Sequence, residues 1–316
     1  MRKATTTSLS DIFRIKPIDV PIVATTGGKG GTGKTVVAIN LATQLANMGK
    51  KTLIIDCDVD SPNVAILLSA ELKDKQTVKR FLPEFILKNC TYCGKCAECC
   101  RAHAILQVGD KPPLLFPEIC TGCEVCRLVC PSEAIRNKEK VVGYTFEGRS
   151  SSNVDIVSGE LKLREPESAI AVEAARERAF KKIKENDKNY DIVVIDTAPG
   201  AHCDVIRALL GADLVLAVTE PTPFGAHDLD LIIELTKNVM KLDSKVVLNR
   251  SDIADSKIID LMCEKKTVEM LAQIPYDDEL IQSYVKGIPI VNYNPESESG
   301  KVLIQLAEKI QELLLA

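Results

Sequence analysis

Tryptophan is absent from the 316 residues, aromatic residues of all kinds make up 4%, and only three histidines occur. A chain so poor in stacking rings is badly suited to gripping single-stranded nucleic acid. It also lacks the positive excess that binding to phosphate backbones demands: 40 Lys and Arg stand against 44 Asp and Glu, a net charge of −4. No apolar run approaches the ~18 residues of a membrane span. The first twenty residues lack the apolar stretch and cleavage site of a secretory signal. These absences predict a cytoplasmic protein with no nucleic-acid partner and no membrane span. The length suits two domains, or one interrupted by an insertion, and buries an ample core without disulfides. The twelve cysteines are too few for a disulfide scaffold. Nine of them fall in two eleven-residue windows, 90–100 and 120–130. Reduced thiols clustered in this way point to metal.

Short apolar runs at Ile22–Thr26, Thr52–Ile55, Asp191–Ile195, Leu214–Val218 and Lys245–Leu248 alternate with helical stretches. That alternation predicts an α/β fold, a mainly parallel sheet with helices on both faces. The pattern breaks where the cysteines lie. The expected organisation is an N-terminal extension (1–19), a first part of the α/β domain (20–75), an inserted domain (76–140) and the second part of the α/β domain (141–316). The insert repeats itself. A shift of 30 residues carries Cys90, Cys93, Cys96 and Cys100 onto Cys120, Cys123, Cys126 and Cys130.

Gly28-Lys29-Gly30-Gly31-Thr32-Gly33-Lys34-Thr35 follows the first strand, opens a helix and fits G-x-x-x-x-G-K-S/T. Glycines there let backbone N–H groups wrap phosphate oxygens, aided by the helix N-terminus. Lys34 is expected on the β/γ-phosphates of ATP, and the Thr35 hydroxyl on Mg²⁺. The additional Lys29 makes the motif K-G-G-x-G-K-T. In this the chain resembles the MinD/ParA/Mrp ATPases, a family that includes the nitrogenase iron protein. The resemblance implies that Lys29 crosses to a partner's nucleotide in an ATP-dependent homodimer. It also implies that Asp58 positions the attacking water and that Asp56 and Asp196 assist Mg²⁺. It places the second switch at Thr197–Gly200 and the base-binding segments at Asn249-Arg250 and around Pro275. Taken singly, a strand-end aspartate is as readily a helix cap.

Cys90-x₂-Cys93-x₂-Cys96-x₃-Cys100 and Cys120-x₂-Cys123-x₂-Cys126-x₃-Cys130-Pro131 both carry the spacing of bacterial ferredoxins. Three thiolates of each run cap one [4Fe–4S] cluster, and the fourth serves the other. One set is therefore Cys90, Cys93, Cys96 and Cys130; the other is Cys120, Cys123, Cys126 and Cys100. Zinc also takes four thiolates, but mostly from two separated C-x₂-C pairs. Arg101 stands where Pro131 stands in the second run, predicting a looser chain at Cys100. Cys99 is open to two readings, a core thiol or a substitute ligand.

An ATPase of the MinD type interrupted by a two-cluster ferredoxin module is itself a group that residues 20–312 resemble. The first reading is ATP hydrolysis coupled to electron transfer with a redox partner, favoured by eight cysteines in complete four-ligand sets. The alternative is an ATP-dependent carrier or assembly factor for iron–sulfur or other metal cofactors. A positioning ATPase of the MinD/ParA kind has no need of clusters. Cys203 lies seven residues after Asp196, the offset of a cluster-ligating cysteine in the nitrogenase iron protein. It is either a packed thiol or one half of a site bridging two protomers. Arg164-Glu165, within the stretch 160–166, and residues 1–19 fall outside every motif.

Overall fold

Strands that are apolar at every position have both faces to bury and settle between two helical layers. In a computed structural model, which describes residues 18–185 and 190–315, the chain runs β1 (Ile22–Thr26), α1 (Lys34–Asn47), β2 (Thr52–Cys57), α2 (Val64–Leu67) and β3 (Leu72–Arg80) into the insert. The insert holds β4 (Pro83–Phe85), α3 (Lys95–Glu98), β5 (Ile105–Leu106), β6 (Leu114–Leu115), α4 (Val125–Leu128) and β7 (Ile135–Asn137). Next come β8 (Lys140–Arg149), β9 (Asp155–Leu161), α5 (Ser168–Glu185), β10 (Ile192–Thr197), α6 (Cys203–Leu209) and β11 (Leu214–Thr219). The remainder is α7 (Pro223–Ile233), β12 (Asp243–Asn249), α8 (Lys257–Lys266), β13 (Glu269–Ile274), α9 (Asp278–Lys286), α10 (Ile290–Tyr293) and α11 (Glu298–Leu315).

The described residues form a nine-stranded sheet in the order β13-β12-β11-β1-β10-β2-β9-β8-β3. Pairing is parallel from β13 to β9 and antiparallel across β9-β8-β3. β1, β2, β10 and β11 are buried at every position. On one face Leu41 and Leu45 of α1 meet Leu303, Leu306 and Ile310 of α11. Each such fully buried side chain contributes roughly 2 kcal/mol relative to exposure. The last helix is thus a core element, and among the described residues no helix is long and apolar enough to cross a membrane. On the other face α5 and α6 cover the sheet with Val172, Ala175, Ala179, Val205 and Leu209. Ile18 joins that layer; residues 1–17 of the expected extension lie outside the described residues.

The main sheet extends further than the sequence pattern predicts. β3 and β8 pair from Leu72↔Gly148 to Arg80↔Lys140, so the boundaries expected at 75/76 and at 140/141 fall inside strands. The reason is compositional. β3 reads Leu-Lys-Asp-Lys-Gln-Thr-Val-Lys-Arg, an edge strand exposed over most of its length. Its lysines guard the unpaired edge, at the cost of any apolar signature.

In the insert, β4 pairs with β7 and β5 with β6, both antiparallel. The strand before the first cysteine run thus pairs with the strand after the second, and the inner two pair with each other. The 30-residue repeat extends to the backbone: positive φ recurs at Tyr92 and Gly122 (54° and 75°), Gly94 and Glu124 (76° and 63°), and His103 and Glu133 (51° and 49°). Ile86 N donates to Ala134 O at 2.8 Å, and Phe116 N to Ala104 O at 2.8 Å.

Candidate functional site

The parallel strands deliver their carboxyl ends to one edge of the sheet, and β1 stands where the strand order reverses, between β10 and β11. That is where α/β sheets bind ligands. The loop leaving β1 enters α1 through Gly33, at φ 96°. A Cβ on Gly33 would lie 2.3 Å from Asn249 Nδ2, and one on Gly28 would lie 2.2 Å from Asp228 Cβ. Glycine is required at both. At Gly30 and Gly31 a Cβ would meet nothing within 4 Å, which leaves the crest of the loop open. It borders a cavity of about 910 Å³, whose lining includes Lys34, Thr35, Asp58, Arg250, Pro275 and Tyr276. The sheet thereby gathers both expected base-binding segments and the phosphate loop around one space.

Lys34 is buried, its Nζ donating to Lys29 O at 3.0 Å. Thr35 Oγ1 donates to Asp196 Oδ2 at 2.6 Å, and Thr25 Oγ1 to Asp196 Oδ1 at 3.1 Å. Burial pushes the Asp196 carboxyl up to about 6, against the pull of Thr35, Lys34 and Thr25. Burial likewise raises Asp58, with Lys34 opposing, and lowers Lys34, with Asp196 and Asp58 opposing. Asp56 pairs in register with Asp196. Burial, then the charge of Asp196, holds Asp56 well above the usual carboxylate range. Its two oxygens accept from Asp58 N (3.2 Å) and Val64 N (3.1 Å), so Asp56 fixes the backbone that carries Asp58. A divalent cation would relieve the crowded negative charge of Asp56, Asp58 and Asp196. Gly200, in the segment expected to be the second switch, is tied to the loop, its N donating to Gly27 O at 2.9 Å.

Two residues have roles the motifs do not state. Glu220, just past β11 and only 6% exposed, receives Lys29 Nζ at 3.5 Å and Arg250 Nη1 at 2.5 Å on its two oxygens. Within a single chain it is therefore the counter-ion of the additional loop lysine. In the sequence it stands in the segment Thr219–Gly225, at the end of a buried strand beside β1, with no role of its own marked. Asn249, expected beside the base, spends its Nδ2 on Thr32 O at 2.9 Å and so braces the phosphate loop.

Of the two expected thiol sets, one lines a common cavity. Cys90, Cys93, Cys96 and Cys130 line one small cavity with Phe85 and Ile135. Cys120 and Cys126 are buried: Cys120 packs with Leu82, Ala104 and Cys100, and Cys126 with Phe81, Ile105 and Ile135. Each crossing thiol is held alike: Ala134 N donates to Cys130 Sγ and Ala104 N to Cys100 Sγ, both at 3.3 Å. The Arg101 exchange leaves Cys100 with the same contact as Cys130. Four thiols around one cavity would suit a cluster ligated at four corners. Among the described residues, no three His, Cys, Asp or Glu side chains converge on a single-ion site. Burial raises the Cys126 thiol to about 12, whereas the Lys95 backbone N–H lowers that of Cys93; ligation deprotonates either outright. Cys99 donates to Cys96 O at 3.4 Å and packs among Cys96, Cys100 and Cys126. Cys203 is exposed at the first residue of α6.

Comparison with known proteins adds an independent view. A family model described as the CobQ/CobB/MinD/ParA nucleotide binding domain matches residues 23–290. An uncharacterised protein of Methanocaldococcus jannaschii is 36% identical over 279 residues, covering 87% of this chain and 93% of its own length. A Pyrococcus abyssi protein described as an iron-sulfur cluster carrier is 24% identical over 304 residues, covering 91% of this chain and 84% of its own length. Among solved structures, the septum site-determining protein MinD of Pyrococcus horikoshii, complexed with Mg-ADP, has a TM-score of 0.59 at 22% identity. That match covers 93% of this chain and 97% of that one.

Proposed function

Because the chain belongs to the CobQ/CobB/MinD/ParA family of nucleotide-binding domains, we propose that it is a Mg²⁺-dependent ATPase whose nucleotide cycle drives an iron–sulfur electron carrier built into the same chain. The loop amides and Lys34 bind the triphosphate and stabilise charge on the transferred phosphoryl group. Thr35 and Asp196 would hold Mg²⁺, and Asp58 orients the attacking water. Lys29 exchanges its own Glu220 for the nucleotide of a second protomer, closing a homodimer. Thr197–Gly200, tied to Gly27, responds when the γ-phosphate leaves.

The observation that supports the redox half is the cavity lined by Cys90, Cys93, Cys96 and Cys130, three thiols of the first run and one of the second. Cys90, Cys93, Cys96 and Cys130 would hold one [4Fe–4S] cluster, and Cys120, Cys123, Cys126 and Cys100 the other. Such clusters, when bound, supply one-electron transfer. Complete thiolate sets favour retention over release. A second reading, an ATP-dependent carrier of iron–sulfur or other metal cofactors, is favoured by the Pyrococcus abyssi relative and by the exposed Cys203 near the second switch. Two Cys203 thiolates from a closed dimer would offer a labile bridging site.

One experiment separates the readings. The anaerobically purified protein is reduced and reoxidised with and without ATP, then incubated with an apo-ferredoxin acceptor. Reversible cycling with iron retained supports electron transfer. Iron and sulfide appearing on the acceptor overturns it in favour of carriage.

A further inference from the structure

A buried charge under the second cysteine run takes part in neither site described above. Arg80, the last residue of β3, has a side chain 2% exposed, and its ion-pair partner Glu165 one 7% exposed. Arg80 Nη2 donates to Pro117 O at 3.2 Å and stands 3.6 Å from Glu165 Oε2, too far for a hydrogen bond. Lys140 Nζ, on the neighbouring strand, lies 2.8 Å from Glu165 Oε1. Among the described residues, Arg80 Nε and Nη1 and Glu165 Oε2 have no hydrogen-bond partner. Each buried donor left idle costs roughly 1–3 kcal/mol, so a guanidinium kept in such a place calls for an acceptor.

The surroundings say which acceptor. A Cβ placed on Gly122, at φ 75°, would lie 3.6 Å from both Arg80 Cβ and Arg80 Cδ. The Thr121-Gly122 turn therefore rests on the arginine stem, while the guanidinium bonds Pro117 just upstream. Pro117 and Gly122 bracket Cys120, whose residue is 8% exposed. The anionic group that belongs between them is the thiolate–sulfide assembly of this cysteine set, and sulfur accepts charge-assisted N–H bonds. The cation beside the other set, Lys95, is exposed, and solvent screens it.

We propose that Arg80 is a positioning residue for the cluster of Cys120, Cys123, Cys126 and Cys100, offsetting its negative charge and favouring its reduced state, with Glu165 and Lys140 holding the guanidinium in place. The inference rests on the cluster reading above and gives the unassigned Glu165 a part in it. It makes the two clusters unequal: the one against the sheet has a buried cation, the other does not.

The test is an anaerobic redox titration followed by electron paramagnetic resonance on the full chain, for wild type, Arg80→Gln and Arg80→Lys. In Arg80→Gln, one cluster should show a reduced-to-oxidised ratio about tenfold lower at a fixed potential, a 59 mV shift for a one-electron couple. The other cluster should not move. If Arg80→Gln sheds about four irons, Arg80→Lys decides: a displaced midpoint for one cluster supports the proposal, and wild-type midpoints overturn it. Unmoved midpoints in Arg80→Gln with full iron, or equal shifts of both clusters, also overturn it. A wild type devoid of iron and sulfide overturns the cluster reading itself, a result distinct from these.

Discussion

The nucleotide pocket gathers residues from positions 30 to 284, carried beyond the ends of several strands, whereas the insert gathers its thiols from two runs 30 residues apart. The pocket depends on register. A slip of one residue in β10 would turn Asp196 to the opposite face and away from Thr35. The insert depends on left-handed turns and on two very short antiparallel pairings, one nested inside the other. Its own apolar cores are Phe81, Ile105, Cys126 and Ile135, and Leu82, Ala104 and Cys120. Those are too few for independent stability without a metal, while the sheet has continuous cores on both faces. Under the proposed function, one region is built by packing and the other by ligation.

Substitution at Lys34 separates the two most sharply. Lys34→Ala should lower ATP turnover by at least about a hundredfold, the scale of a lost charge-stabilising donor. Iron content and visible absorbance should match wild type; loss of both together would join what the comparison keeps apart. Asp58→Ala should bind ATP yet hydrolyse it about a hundredfold more slowly, accumulating a dimer visible by sedimentation. A monomer at saturating ATP would count against Asp58 and Lys29 alike.

Removing iron with a chelator under denaturant-free conditions attacks the other side. Amide protection should collapse over 81–139 and persist in β1, β2, β10 and β11, read by hydrogen exchange. Equal protection before and after removal would contradict a ligation-built insert.

A smaller effect probes the pocket without ligand. The folded-state carboxyl of Asp196 lies at about 6 against 3.8 for the ordinary group. The native state then holds the proton more tightly, so the group's stabilisation is complete below pH 3.8 and is lost as pH rises through about 6. Asp196→Asn should therefore raise the stability of the nucleotide-free protein at pH 7.5 by on the order of 2–3 kcal/mol. The gain should vanish near pH 4 in urea titrations. A gain independent of pH would remove the electrostatic account.

The same contrast explains what was legible in the sequence. The phosphate loop is contiguous, and its glycines and Lys34 announce it. The cysteine spacing falls within two eleven-residue windows, and the cavity lined by Cys90, Cys93, Cys96 and Cys130 joins the two runs as that spacing suggests. β3 was hidden because an edge strand guarded by lysines lacks the apolar alternation that marks strands. The role of Glu220 was hidden because a single carboxylate at a strand end shows no partner until the sheet sets it beside Lys29 and Arg250. Asn249 was placed at the pocket, but its bond to Thr32 O depends on β12 meeting the loop across the sheet. The Arg80–Glu165 pair spans a separation that only the β3-β8-β9 edge closes.

The account stands or falls on whether one chain carries both a nucleotide site and two four-iron centres. Metal and labile-sulfide analysis of the anaerobically purified protein tests this most directly. About eight irons and about eight sulfides per protomer are predicted. One or two zinc ions per protomer with no sulfide would contradict it.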